Sequence, residues 1–458
     1  MPATPSSPAP ARTIGSGPKP SSRTAAPATA TTRPVPGSDP AVRAVAALAG
    51  RTVPGGEAPT LAVLGIPGQV NLDYAATAPC LEAAADAVAD LLPWYASVHR
   101  GAGALSQRCT LAYEHAREQV AGFLGCRSDD HVVFTRHTTD ALNLLAAALP
   151  ESTRVVTFAS EHHANLLPWP RLVRLPVPAS PADAVRAVDA AVRELRRGGD
   201  RDPILVAVTG ASNVTGELWP VGAIARIARR HGARTVLDAA QLAPHLPVDV
   251  EALEVDYAAL SGHKLYAPFG VGVLAGRPDW LDAAPPYLAG GGATVHVGDG
   301  LQDVRYATGP ARHEAGTPHL LGAVALAAAC DALGSADPAA LRTREEGLLA
   351  RLREGLAALP GVAELRMFAP SAERVGIVSF AVTGHESADV SAYLAREHGI
   401  GVRDGLFCAH PLVRRLLAEA AARLGRPLPP TAVRASLGLG STATDIDRLV
   451  TALADLAG

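Results

Sequence analysis

The stretch "LSGHKLYAPFGVGVLAG", Leu260 to Gly276, holds Lys264 as the only strong charge among small and apolar residues. An ammonium is costly to desolvate, so a lysine in such a run either reaches solvent or is retained for chemistry. Three more groups of polar residues follow apolar runs. Asp238 closes "RTVLD", with Gln241 three residues on, and Thr138 and Thr139 follow "VVFTRH" and open "DALNLLAAAL". His162 and His163 follow "RVVTFASE", while Ser261 and His263 flank the lysine turn. Hydroxyls and amides at a helix N-terminus cradle phosphate. A carboxylate at a buried strand end can hold a protonated ring nitrogen, and an amine in an apolar pocket can form a Schiff base. Phosphate cradle, pyridinium partner and imine-forming lysine together describe a pyridoxal 5'-phosphate site. Each alone has a plainer reading as a cap, a turn or a core histidine; the joint pattern carries the inference.

These groups need a common edge, and an α/β sheet supplies one, because ligands gather beyond the carboxyl ends of its strands. "ILVAVTG" (204–210) and "RTVLDAA" (234–240) read as short buried strands. Between them "VGAIARIARRHG" has helical spacing and ends at Gly232, a C-terminal cap. The unit is βαβ, which implies a parallel sheet covered by helices. "HVVFT" and "RVVTFAS" repeat the strand signal earlier, and "VDYAALSG" and "GVGVLAG" later.

Composition bounds the reading. The chain has 458 residues, 48% apolar and 19% charged, with 41 Lys plus Arg against 44 Asp plus Glu. This balance gives no electrostatic reason to bind nucleic acid or an anionic membrane. The apolar run Leu320 to Cys330 is too short for a bilayer. Cys80, Cys109, Cys126, Cys330 and Cys408 are scattered, odd in number and without CxxC spacing. They point away from a disulfide framework or a metal cluster and toward a reducing cytoplasm. Residues 1–40 hold ten prolines, no leucine and no aromatic residue; such a segment cannot offset the entropy of ordering. The expected division is therefore a Pro/Ala/Ser-rich disordered tail (1–58), a large cofactor-binding domain with an N-terminal arm (59–335), and a smaller C-terminal α+β domain (336–458).

The chain resembles the class V, fold-type I pyridoxal-phosphate enzymes, and within them the Suf-type (group II) cysteine desulfurases. "NLDYAATAP", "HRGAGALSQRCTLAYEHAR", "FTRHTTDALNLLA", "EHHANLLPW", "SNVTGELWPV", "LDAAQLAPHLPVDV", "SGHKLYAPFGVGVL", "EAGTP" and "VRASLGLGST" carry the resemblance. It implies a fold-type I transferase with a mostly parallel sheet sandwiched by helices. It also implies roles. Lys264 would bind the cofactor aldehyde and shuttle the Cα proton, and Asp238 would pair with the pyridine nitrogen. His163 would stack on the ring, and Gln241 would bond its hydroxyl. Thr138, Thr139, Ser261 and His263 would hold the phosphate. Thr317 would reach the phosphate of the other subunit, which makes a homodimer. Asn213 would contact the cofactor and, with Arg434 and Arg403, would bind the substrate carboxylate.

The substrate side departs from that pattern in "GIGVRDGLFCAHPLV", 399–413. Arg403, Gly405, Cys408, Ala409 and Pro411 match the desulfurase loop, whereas its threonine and two histidines are replaced by Asp404, Leu406 and Phe407. "AEAAARLGRPLPP" is extra material. A thiolate at Cys408 would take sulfur from L-cysteine as a persulfide, leaving alanine, and pass it to an acceptor protein. Cys408 read instead as a small core residue leaves an aminotransferase, epimerase or C–S lyase of specialised metabolism.

Overall fold

The computed structural model describes residues 61–199, 201–300 and 302–457. The tail expected to be disordered lies outside the described residues. Seven strands form the large sheet: β1 His131–Thr135, β2 Arg154–Phe158, β3 Leu172–Leu175, β4 Ile204–Thr209, β5 Arg234–Asp238, β6 Tyr257–Ser261 and β7 Gly272–Gly276. Their order is β1-β7-β6-β5-β4-β2-β3. Every neighbouring pair is parallel except those of β7, which runs antiparallel to β6 and β1. Each strand read from the sequence is present; the reversed direction of β7 was not read.

These strands form because they are Val/Leu/Ala runs that can be buried on both faces. Along β4 the side chains alternate: Val206 and Val208 enter one core cluster, Leu205 and Ala207 the other. Helices cover both faces: α1 Glu82–Leu91, α2 Ala104–Phe123, α3 Thr138–Ala148, α4 Pro181–Leu195, α5 Val221–Arg230 and α6 Leu320–Gly334. In α4, Ser180 caps the N-terminus by accepting from the Asp183 amide at 3.1 Å, and Ala184, Val188 and Val192 form the buried stripe. Gly272 in β7 permits a close approach, since a Cβ there would lie 2.5 Å from the His137 backbone. That approach sets the turn opening α3 against the end of β6.

A second sheet, antiparallel and four-stranded, comprises β8 Val362–Leu365, β9 Ile377–Val382, β10 Arg403–Gly405 and β11 Ala432–Ser436, in the order β8-β9-β11-β10. Helices α7 Pro338–Ala357, α8 Ser387–His398, α9 His410–Leu424 and α10 Ala443–Ala457 accompany it. The extra stretch begins as the last turns of α9, which Gly425 ends in the left-handed region at φ 64°. The N-terminal arm lies beside this sheet: Val70–Asn71 pairs with Ile400–Gly401 as a separate two-stranded ribbon, and Asp73 bridges to Ser436 on β11. A buried ion pair, Glu217 to Arg374 at 3.4 Å, ties the turn after β4 to the second sheet. Among the described residues no single helix is long and apolar enough to cross a membrane.

Candidate active site

The carboxyl ends of β4, β5 and β6 open into a cavity of about 290 Å³. Asp238, the last residue of β5, is only 4% exposed. One of its oxygens accepts from the Ala240 amide at 3.0 Å, and no described residue bonds the other. Burial pushes this carboxyl above the usual carboxylate range, and nearby Lys264 opposes that rise. Lys264 follows β6 on a single 3₁₀ turn, Gly262–Lys264, and lines the cavity without a hydrogen bond or ion pair to any described residue. Desolvation brings its amine down to about 8; Asp238 counters this and Arg434 adds to it. The lysine's accessible surface belongs to a residue that lines the cavity, so exposure and desolvation are compatible here.

At the other end, the Ser261 hydroxyl accepts from the Thr138 amide at 2.8 Å and lies 2.7 Å from the Thr138 hydroxyl. Thr139, beside them at the start of α3, lines the cavity, as does His263. His263 Nδ1 lies 2.6 Å from the Thr77 hydroxyl, and burial lowers its pKa to about 4, with Lys264 adding to the effect; the ring is neutral at pH 7. Gln241 donates from Nε2 to the Ala75 carbonyl at 2.7 Å. Together these groups make a hydroxyl and amide cradle at a helix start, an unpaired amine, and a buried carboxylate with a free oxygen.

The far wall comes from the small sheet. Arg403 on β10 and Arg434 on β11 are direct cross-strand partners, so both side chains leave the same face. Like charges directly opposed in a sheet are unfavourable unless an anion binds between them. Arg434 is 3% exposed; it donates to the Asn213 carbonyl at 2.9 Å and pairs with Asp73 at 3.2 Å, while its buried Nε has no partner. Cys408 is exposed and lines the same cavity as Lys264. It and Phe407 are both in the left-handed region, at φ 52° and 50°. Such a conformation is costly for residues with a Cβ and persists where neighbours impose it. Here the Asn213 amide donates to the Phe407 carbonyl at 2.7 Å, and the His163 backbone amide to the Cys408 carbonyl at 2.8 Å. The Phe407 ring lies 5.1 Å from the Arg434 guanidinium.

Residues 70–449 match the family model for class-V aminotransferases. The chain belongs to the class-V aminotransferase family. It is 39% identical over 391 residues to a cysteine desulfurase of Dickeya dadantii (strain 3937), covering 83% of this chain and 90% of that one. A probable cysteine desulfurase of Pseudomonas aeruginosa is 37% identical, over 86% of this chain and 95% of its own. Among solved structures, the chain is similar to the cysteine desulfurase CsdA from Escherichia coli in its S-sulfonic acid form, with a TM-score of 0.70 at 33% identity, covering 85% of this chain and 94% of that one. The apo cysteine desulfurase from Thermococcus onnurineus NA1 aligns with a TM-score of 0.72 at 32% identity, with the same coverage. The family is dependent on pyridoxal 5'-phosphate, and the residues of this class-V site fit that cofactor: cradle, free amine and half-bonded carboxylate stand around one cavity.

One expected site residue stands off the cavity wall. His162, not His163, lines the cavity. His162 precedes the 3₁₀ turn His163–Asn165 in an extended conformation, and its Nδ1 accepts from the Ala164 amide at 3.0 Å. Burial, then Lys264, lowers its pKa to about 3, so the neutral ring carries its proton on Nε2. A tight turn rotates successive side chains by about a third of a circle. His163 therefore leaves the cavity and packs edge-on against His410, ring centroids 4.6 Å apart. Thr317 is exposed and does not line this cavity. Sequence reasoning missed Asp73 and the inward role of Phe407, although both lie in stretches it singled out.

Proposed function

We propose that this class-V enzyme is a cysteine desulfurase of the Suf type that converts L-cysteine to L-alanine and carries the sulfur on Cys408. The observation that carries the reading is Cys408 on the wall of the cavity that holds Lys264, beside two cross-strand arginines. When bound, the cofactor supplies an electron sink for negative charge at the substrate Cα. Asp238, whose second oxygen is unbonded at the cavity, would accept from the pyridine N–H. Lys264, with its amine lowered to about 8, is partly neutral at physiological pH and takes up and returns the Cα proton. Arg403 and Arg434 bind the substrate carboxylate, bidentate geometry favouring arginine over lysine. The Cys408 thiolate attacks the substrate sulfur: an S–S bond forms, the Cβ–S bond breaks, and its electron pair stays with the carbon skeleton. That skeleton picks up a proton at Cβ and leaves as alanine. An acceptor protein's thiol then takes the outer sulfur.

Incubating the purified protein with L-cysteine and measuring alanine and sulfide tests this. Equal yields of the two are expected in the presence of a reducing thiol. Pyruvate and ammonia in place of alanine would identify a C–S lyase, and racemised cysteine an epimerase.

Three further assignments belong to the same reading. Residues 59–335 form the cofactor domain and 336–458 the smaller one, and Thr317 completes the site of a second copy. Sedimentation should give a dimer; a fully active monomer would overturn the shared site. His162, on the cavity wall, would stack on the cofactor ring, so His162→Ala should lower turnover by about 100-fold or more. His163→Ala, which keeps the backbone bond to Cys408, should have a much smaller effect, and the reverse order would return the stacking role to His163.

A further inference from the structure

Glu161 is fully buried, 0% exposed, at the end of the segment that follows β2. Its Oε1 accepts from the Thr209 amide at 3.1 Å and its Oε2 from Asn165 Nδ2 at 2.9 Å. Both donors are neutral, and no Lys, Arg or His among the described residues forms an ion pair with it. Thr209 is the sheet partner of Asp238, so Glu161 is hydrogen-bonded to the strand end next to the one that carries the cofactor carboxylate. An ionised carboxylate with two neutral donors and no cation, close to a second carboxylate, is strongly disfavoured in an apolar interior.

The amide beside it indicates where a proton would go. Asn165 Oδ1 is buried and has no donor, so only the bond from Nδ2 to Glu161 holds the amide in its present sense. Half a turn about its last bond exchanges oxygen and nitrogen without changing its shape. The amide oxygen then faces Glu161 Oε2, and two oxygens at that separation bond only through a proton.

We propose that Glu161 is a neutral carboxylic acid hydrogen-bonded to Asn165, and that in this form it positions the cofactor end of the site. It ties the turn that carries His162 to the strand beside Asp238, and leaves Asp238 as the single anion facing the ring nitrogen. This rests on the cofactor assignment above. Burial pushes Glu161 up to about 8, and Asp238 adds to the rise. The titratable groups around it are His162 on its own turn, Asp238 on β5, and Lys264 beyond, which interacts with both.

The test uses the full-length holoenzyme and does not depend on turnover. Wild type minus Glu161→Gln in the infrared should show the C=O stretch of a protonated acid at pH 7, shifted by ¹³C-glutamate labelling and fading as pH rises through about 8. A carboxylate band there instead would overturn the proposal. Melting gives an independent reading. The folded state keeps a proton that the unfolded chain releases above about 4.5, so this group makes wild type lose stability as pH rises to about 8. The melting temperature of Glu161→Gln relative to wild type should therefore climb over that window, and a flat difference would overturn the proposal. If Glu161→Gln does not fold, Asn165→Leu decides: the labelled acid band should move to the frequency of an acid without a hydrogen bond, and an unmoved band would overturn the pairing. Failure of the desulfurase reading would leave these bands and slopes in place, so the two outcomes are distinguishable.

Discussion

Lys264→Ala should abolish turnover of L-cysteine, with a loss of about 10⁴-fold or more, and should remove the yellow colour of the holoenzyme. The size follows from the two tasks that meet at one atom. Under the proposed function the amine would hold the cofactor covalently, and the same nitrogen would carry the substrate proton. Of the histidines that line the cavity, His137 accepts the Asp140 amide at its Nδ1, and burial lowers His162 and His263 to about 3 and 4. Neither carries a charge to exchange near pH 7. The substitution should be tolerated by the fold, because Lys264 makes no hydrogen bond or ion pair with any described residue, and truncation removes a desolvated amine rather than a structural tie. Cofactor should still bind through the Thr138, Thr139 and Ser261 cradle, with its absorption that of the free aldehyde. A variant that keeps normal turnover would sink the assignment of Lys264.

How far the sequence sufficed depends on the length scale of each feature. The large sheet was legible because strands buried on both faces must be apolar runs, and the polar residues at the Lys264 end of the cavity stand at or just beyond the ends of such runs. Asp238, Lys264 and the paired threonines were picked out this way, and they line one cavity. His162 and His163 were not separable, because which of two adjacent residues faces inward is decided by a three-residue turn and the bond from Ala164. The pairing of Asp73 with Arg434 spans 361 positions and depends on the arm crossing to the second sheet. No local periodicity records it. The cross-strand register of Arg403 and Arg434 was hidden for the same reason, since β10 is only three residues long. The left-handed pair Phe407–Cys408 had no glycine or asparagine to announce it.

That pair bears on the second large effect expected, in Cys408→Ser. The variant should retain cofactor and bind cysteine, because Lys264, Asp238 and Arg434 are untouched and serine suits the same backbone. Sulfur release should fall by at least about 10³-fold, within the range seen when an enzyme's nucleophile is removed. A hydroxyl at neutral pH is a far weaker nucleophile toward sulfur than a thiolate. The wild type, exposed to cysteine, should gain one sulfur by mass on the peptide that contains Cys408. The loop is tied down at both carbonyls, by Asn213 and by the His163 amide, so Cys408 has little freedom to carry sulfur outward. Its exposure means that an acceptor can come to it. The histidines of the related loop are absent, and Phe407 offers a ring to Arg434 but no proton. The basal rate should therefore be modest and rise with an acceptor that brings its own thiol and general acid. Full activity of Cys408→Ser on cysteine would make the thiol dispensable. The arginine pair would then define a carboxylate pocket for an amino acid handled by lyase, epimerase or aminotransferase chemistry.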